Sequence, residues 1–197
     1  MRRNVTLKEI SDGRVYGKND MVKADCHGCK NCSKCCHGMG KTIVLDPYDV
    51  YRMTTGMGRS FQELLEAPVE LSVVEGVILP NLRMEGEEQK CGFLNEQGWC
   101  SIHPYRPGLC RLFPLGRIYE NGDFKFFLQN GECMEPHTKV KVAKWIDTPD
   151  FERNKVFILC WHDLLQDLMN FVKDRDVIIS KKMNLLFLNT FYLAPYD

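Results

Sequence analysis

Five cysteines fall within eleven residues, in the run Cys26-His27-Gly28-Cys29-Lys30-Asn31-Cys32-Ser33-Lys34-Cys35-Cys36. A disulfide needs Cα atoms roughly 4.4 to 6.8 Å apart with matched Cβ vectors, and five thiols in so short a loop cannot all pair with one another. Metal ligation suits them better. Thiolates three residues apart converge on one centre where the chain turns, and Gly28, Asn31, Ser33 and Gly38 permit such turns. Two spacings compete. Cys26, Cys29, Cys32 and Cys36 reproduce the C-x2-C-x2-C-x3-C run that wraps an iron–sulfur cube, with His37 where ferredoxins carry proline. Cys29, Cys32, Cys35 and Cys36 form the rarer C-x2-C-x2-C-C, whose adjacent cysteines point in different directions and so serve different metals or different faces of one cluster.

A second cysteine group follows. Cys91 and Cys100 flank Asn95-Glu96-Gln97-Gly98, which reads as a hairpin turn between short strands and would bring the two thiols close. Pro104, Pro107 and Pro114 disfavour helix and are expected to hold Cys110 in a preset orientation. Cys133 completes a candidate set of four with Cys91, Cys100 and Cys110.

Together these residues resemble the CxxCxxCC cysteine-cluster family, also called YkgJ-like, described as a zinc- or iron-chelating domain. The resemblance is carried by Cys29-x2-Cys32-x2-Cys35-Cys36, by Cys91-x8-Cys100-Ser101-Ile102-His103-Pro104-Tyr105-Arg106-Pro107-Gly108-Leu109-Cys110-Arg111-Leu112-Phe113-Pro114, and by Cys133. It spans about residues 26–135 and implies a bound metal centre rather than a particular reaction. Some longer family members are named for methylating flagellin lysines, so the resemblance also allows S-adenosylmethionine and a protein substrate. Cys26 departs from the family pattern as an additional thiol, and becomes a ninth candidate ligand.

The metal itself is open at this stage. Four thiolates on one ion suit zinc, whereas more than four clustered thiolates with an adjacent pair suit an iron–sulfur cluster, in which several irons share the ligands. The cysteines divide as one four-cysteine centre per motif or enclose one larger centre. Arg106 and Arg111 are candidate cofactor-binding rim donors, because guanidinium offsets the charge of a thiolate-rich site; a surface ion pair is the alternative. His27 and His37 read as hydrogen-bonding neighbours of the ligands more readily than as ligands. Trp99, Tyr105 and Phe113 read as packing that keeps water from the metal. Met39, Met53 and Met57 read as core filling.

The rest of the chain must position these groups. It has 197 residues, 26 basic and 26 acidic side chains and 44% hydrophobic residues, the composition of one ordinary globular domain. The basic N-terminus is not followed by an apolar run of secretory type, so a cytoplasmic setting is expected, and in that reducing compartment the ten cysteines of a chain able to form a core without staples stay free for metal or redox chemistry. Zero formal charge argues against nucleic acid as a partner, and the lack of an 18-residue apolar run argues against a membrane span. The radical-SAM run C-x3-C-x2-C, the P-loop and the dinucleotide-binding glycine fingerprint are absent.

The periodicities predict an α+β fold: a single compact domain of short helices and β-hairpins around a cysteine-rich metal centre, with a helical C-terminal cap over 149–193. Asp46 and Pro47 start a helix that buries Val50, Tyr51 and Met53 and stops at Gly56. Ser60 caps a second helix carrying Phe61, Leu64 and Leu65. Residues 69–74 and 77–83 form a hairpin around Glu75-Gly76; 117–120 and 124–128 form another around Asn121-Gly122-Asp123. A long amphipathic helix runs from Pro149 to about Lys173, with Phe157, Cys160, Trp161, Leu164, Leu168 and Phe171 on its apolar stripe, which makes Cys160 a buried, inert thiol. Residues 183–192 add an apolar element. The expected function is a metal protein holding an iron–sulfur centre, for electron transfer or in support of protein modification. Its partner would then be a redox protein or a protein substrate. A structural zinc module and a lysine methyltransferase are the alternatives.

Overall fold

The computed structural model describes residues 6–25, 33–133 and 138–194. Cys26, His27, Cys29 and Cys32 lie outside the described residues. The elements in chain order are α1 (Leu7–Ile10), β1 (Met21–Asp25), α2 (Pro47–Met57), α3 (Phe61–Leu65), β2 (Val69–Val74), β3 (Val77–Leu82), β4 (Met84–Glu85) and β5 (Lys90–Cys91). They continue with α4 (Gly108–Leu112), β6 (Leu115–Glu120), β7 (Asp123–Leu128), β8 (Thr138–Lys141), α5 (Val142–Ile146), α6 (Phe151–Lys173) and α7 (Val177–Leu188). Among the described residues, helices and small antiparallel sheets follow one another without βαβ crossovers, and the fold is α+β. Among the described residues, no helix is long and apolar enough to cross a membrane.

The chain divides into two compact units, each assembled from separate stretches. The first comprises Met1–Cys35 and Gly108–Leu159. Its β6–β7 hairpin turns through Asn121 and Gly122 at φ 53° and 74°, the left-handed pair that a two-residue turn demands. Tyr16 adds a bridge to Phe126, with reciprocal backbone bonds of 2.7 and 2.9 Å. β1 pairs antiparallel with β8, Met21 opposite Lys141 and Val22 opposite Val140, with a register shift before Asp25 meets Thr138. Alternation along β1 buries Val22 and Ala24 beneath Leu112, Leu115, Phe124, Phe126, Val142, Ile146 and Ile158, which form the core of this unit.

The second unit comprises Cys36–Pro107 and Cys160–Asp197. Asp46 caps α2 by accepting from Asp49 N at 2.7 Å, Pro47 occupies the first helical turn, and Gly58 ends the helix in the left-handed conformation at φ 64°. The expected stop at Gly56 is therefore corrected by two residues: the helix runs through Gly56, whose missing side chain admits Tyr105. Val50 and Met53 are buried as expected, but Tyr51 is exposed, its ring turned toward Tyr48 on the outer face. Ser60 caps α3, accepting from Glu63 N. β2 and β3 pair through the Glu75-Gly76 turn in full register, Val74 opposite Val77 and Val69 opposite Leu82.

α7 docks through Asn184, whose side-chain oxygen accepts from Ile78 N at 2.7 Å and whose amide donates to Gly76 O at 3.0 Å. A buried Trp161–Phe187 stack with centroids 5.4 Å apart and Tyr192, donating to Leu45 O at 2.9 Å, close the core.

The long helix α6 forms nearly where the periodicity places it, but its buried line is Ile158, Trp161, Leu168, Met169 and Val172. Leu164 and Phe171 are 38% exposed and Cys160 is exposed, against the expected stripe. Moving the stripe by one residue turns a helix face by about 100°, and both choices are apolar enough to read as the inner face. The docking partner decides between them.

Candidate metal centre

Cys35 and Cys36 occupy a 3-10 turn, Lys34–Cys36, and both are half-buried. The boundary between the units falls between them, so the described pattern cysteines divide three and three. The first unit holds Cys35, Cys110 and Cys133; the second holds Cys36, Cys91 and Cys100.

In the second unit, His37 bridges antiparallel to Lys90, and Gly38 N donates to Gln89 O at 2.9 Å. That bridge brings the chain just after the 3-10 turn of Cys36 alongside the strand that ends in Cys91. On its other edge Cys91 pairs with Met84. Its backbone carbonyl accepts from Leu94 N at 2.9 Å, and Cys91 is buried at 6% exposure.

The span from Cys91 to Cys100 is a closed knuckle. Leu94 bridges Cys100, Asn95 N donates to Trp99 O at 2.9 Å, and Asn95 Oδ1 accepts from Gln97 N at 3.1 Å and Trp99 N at 2.8 Å. Ser101 N and Oγ both donate to Phe93 O. The expected turn is present; the residue directly opposite Cys100 is Leu94 rather than Cys91. Trp99, expected to shield a metal, is 49% exposed at the tip, because the turn that orders its backbone also points it outward.

In the first unit, Cys110 lies on α4, a helical turn where proline-stiffened loop was expected. Pro107 and Pro114 bracket that turn and stand outside it, so their missing N–H groups interrupt nothing. Cys133 follows Gly131, which is left-handed at φ 72°. Among the described residues, no three His, Cys, Asp or Glu side chains are grouped to hold a metal ion.

The two candidate rim arginines take different roles. Arg111 is buried and donates through Nη1 to Asp147 O at 3.0 Å, at the left-handed C-terminal cap of α5, where it binds together two helices of its own unit. Arg106 Nη1 lies against both ring nitrogens of His103, Nε2 and, at 2.9 Å, Nδ1, while its Nε is buried with no acceptor among the described residues. Partial burial, and then the Arg106 charge, push the His103 imidazole below its ordinary pKa.

Arg52, on α2, is the residue that sequence reasoning missed. It donates through Nη2 to Pro104 O at 2.8 Å and leaves Nη1 buried without an acceptor among the described residues. No spacing rule links position 52 to position 104; only the packing of α2 on the 103–105 turn does.

Sulfur chemistry fits this donor set to zinc or iron. The six described pattern thiols are all buried or half-buried, and soft thiolate donors select zinc or iron. The sequence model of a family described as "Putative zinc- or iron-chelating domain", with the signature CxxCxxCC, matches residues 28–136. That span contains Cys29, Cys32, Cys35, Cys36, Cys91, Cys100, Cys110 and Cys133, and excludes Cys26 and Cys160. No curated protein and no solved structure matches the chain.

Proposed function

The chain belongs to the CxxCxxCC family, and from that premise we propose that its clustered cysteines hold an iron–sulfur centre serving electron transfer or the modification of a protein substrate. The carrying observation is the number and arrangement of thiols: eight fall inside the family span, and two of them are adjacent in the chain. A single zinc ion takes four thiolates, so a larger set with an adjacent pair favours shared irons. The proposed ligands are Cys29, Cys32, Cys35, Cys36, Cys91, Cys100, Cys110 and Cys133, with Cys26 as an additional thiol ahead of the family span.

An iron–sulfur centre would supply one-electron chemistry. The protein's own residues hold and insulate the thiols: the 91–100 knuckle fixes two of them through backbone bonds, and burial of Cys91 restricts water. The partner is a redox protein or a protein substrate, in a reducing, cytoplasmic setting that keeps thiols available. Neither nucleic acid nor a membrane is part of the proposal.

Zinc is the second reading, favoured by the knuckle itself, because a closed hairpin presenting cysteines is a common way to hold a structural ion. Analysis of anaerobically purified full-length protein separates the two. Iron with acid-labile sulfide and a visible charge-transfer band supports the cluster; stoichiometric zinc in a colourless protein that unfolds with chelator replaces it. Protein-lysine methylation is the weakest reading, and absence of S-adenosylmethionine binding by calorimetry removes it.

A further inference from the structure

Arg52 and Arg106 come from different elements and meet on one turn. Arg52 Nη2 is bound to the carbonyl of Pro104, and Arg106 Nη1 to the ring of its neighbour His103, so the two guanidinium groups are anchored on consecutive residues. Each keeps a buried N–H with no acceptor among the described residues: Nη1 of Arg52 and Nε of Arg106. Neither forms an ion pair with a carboxylate among the described residues.

From Gln97 to Tyr119 the sequence contains no Asp or Glu, and the His103 ring is already engaged by Arg106. The Tyr105 ring, packed on Gly56, holds the turn against α2, the helix that carries Arg52. Buried donors left without acceptors are uncommon and costly, and a planar guanidinium offers paired N–H groups matched to two oxygens of one anion.

We propose that Arg52 and Arg106 form a binding site for an oxyanion, a phosphate or carboxylate group that supplies the acceptors these two guanidinium groups lack. Such a group enters the protein as part of a substrate, a partner or a small metabolite. The site stands independently of which metal the cysteines hold.

The test uses the full chain, metal-loaded as purified, titrated with inorganic phosphate and separately with succinate while thermal midpoint and tryptophan fluorescence are followed. A saturable response to phosphate alone identifies a tetrahedral group, and one to succinate alone a carboxylate; either supports the site provided the variants behave as follows. Arg52→Gln and Arg106→Gln each raise the half-saturating concentration by about tenfold or more, the loss expected for one charge-assisted hydrogen bond. Arg153→Gln, on the exposed face of α6, leaves it unchanged. Arg52→Lys and Arg106→Lys, which keep charge but not the fork, guard against loss of folding and give intermediate values. Equal responses in wild type and all four arginine-pair variants, or no saturable response to either anion, overturn the proposal.

Discussion

Tyr105 lies so close against Gly56 that a Cβ built on the glycine falls 2.4 Å from the tyrosine ring, nearer than real carbon atoms approach. The glycine sits inside α2, where glycine is otherwise unfavourable for a helix. Its presence there is explained by the neighbour: only a residue without a side chain lets the 103–105 turn reach the helix and bring Pro104 O within reach of Arg52.

Gly56→Ala tests that contact. Helix propensity alone favours alanine, but overpacking costs about 1–3 kcal/mol, so the variant should be destabilised in urea despite its better intrinsic helicity. A neutral or stabilising result would mean that the turn shifts freely and that Tyr105 does not fix it.

Asn184→Ala removes the side chain that serves both Ile78 N and Gly76 O at the β2–β3 turn. Loss of these partners should cost about 1–3 kcal/mol in an equilibrium denaturation. Hydrogen exchange at the Ile78 amide should accelerate in the same variant.

Cys160 is exposed on α6 and lies outside the family span. Cys160→Ser should remove one rapidly labelled thiol from the metal-loaded protein while leaving its metal content unchanged. Cys91→Ser should instead lower metal content, since Cys91 is buried and lies within the pattern.

Tyr16 is pushed up to about 12, first by burial and then by the hydrogen bond its hydroxyl donates to Asp12. The folded value lies above the unfolded one, near 10, so the folded state binds the extra proton between them. Stability from this group is complete below about pH 10 and is lost as pH rises toward 12. An ultraviolet titration should show one tyrosine ionising late. Asp12→Ala should lower its pKa without restoring the ordinary value, because burial is the larger cause.

Much of the local structure was readable from the chain. Asp46-Pro47 and Ser60 begin helices because a cap needs only its own next three residues, and Asn121-Gly122 makes a hairpin because those residues accept positive φ. The family span was readable for a related reason: cysteine spacing records which thiols a turning loop can present. The β1–β8 pairing was not anticipated. Residues 21–25 meet 138–141 across more than a hundred positions, and no local pattern names a strand's distant partner.

The thiol inventory, the family, the turns and the caps follow from residue type and near neighbours alone. Tertiary packing alone decided which face of α6 is buried and hence that Cys160 is exposed, that Cys110 rides on a helical turn, and that Arg52 joins Arg106 at residues 103–104. These outcomes depend on which surfaces meet. A helix with two nearly equal apolar faces, or an arginine half a domain away in sequence, acquires its role only from the element packed against it.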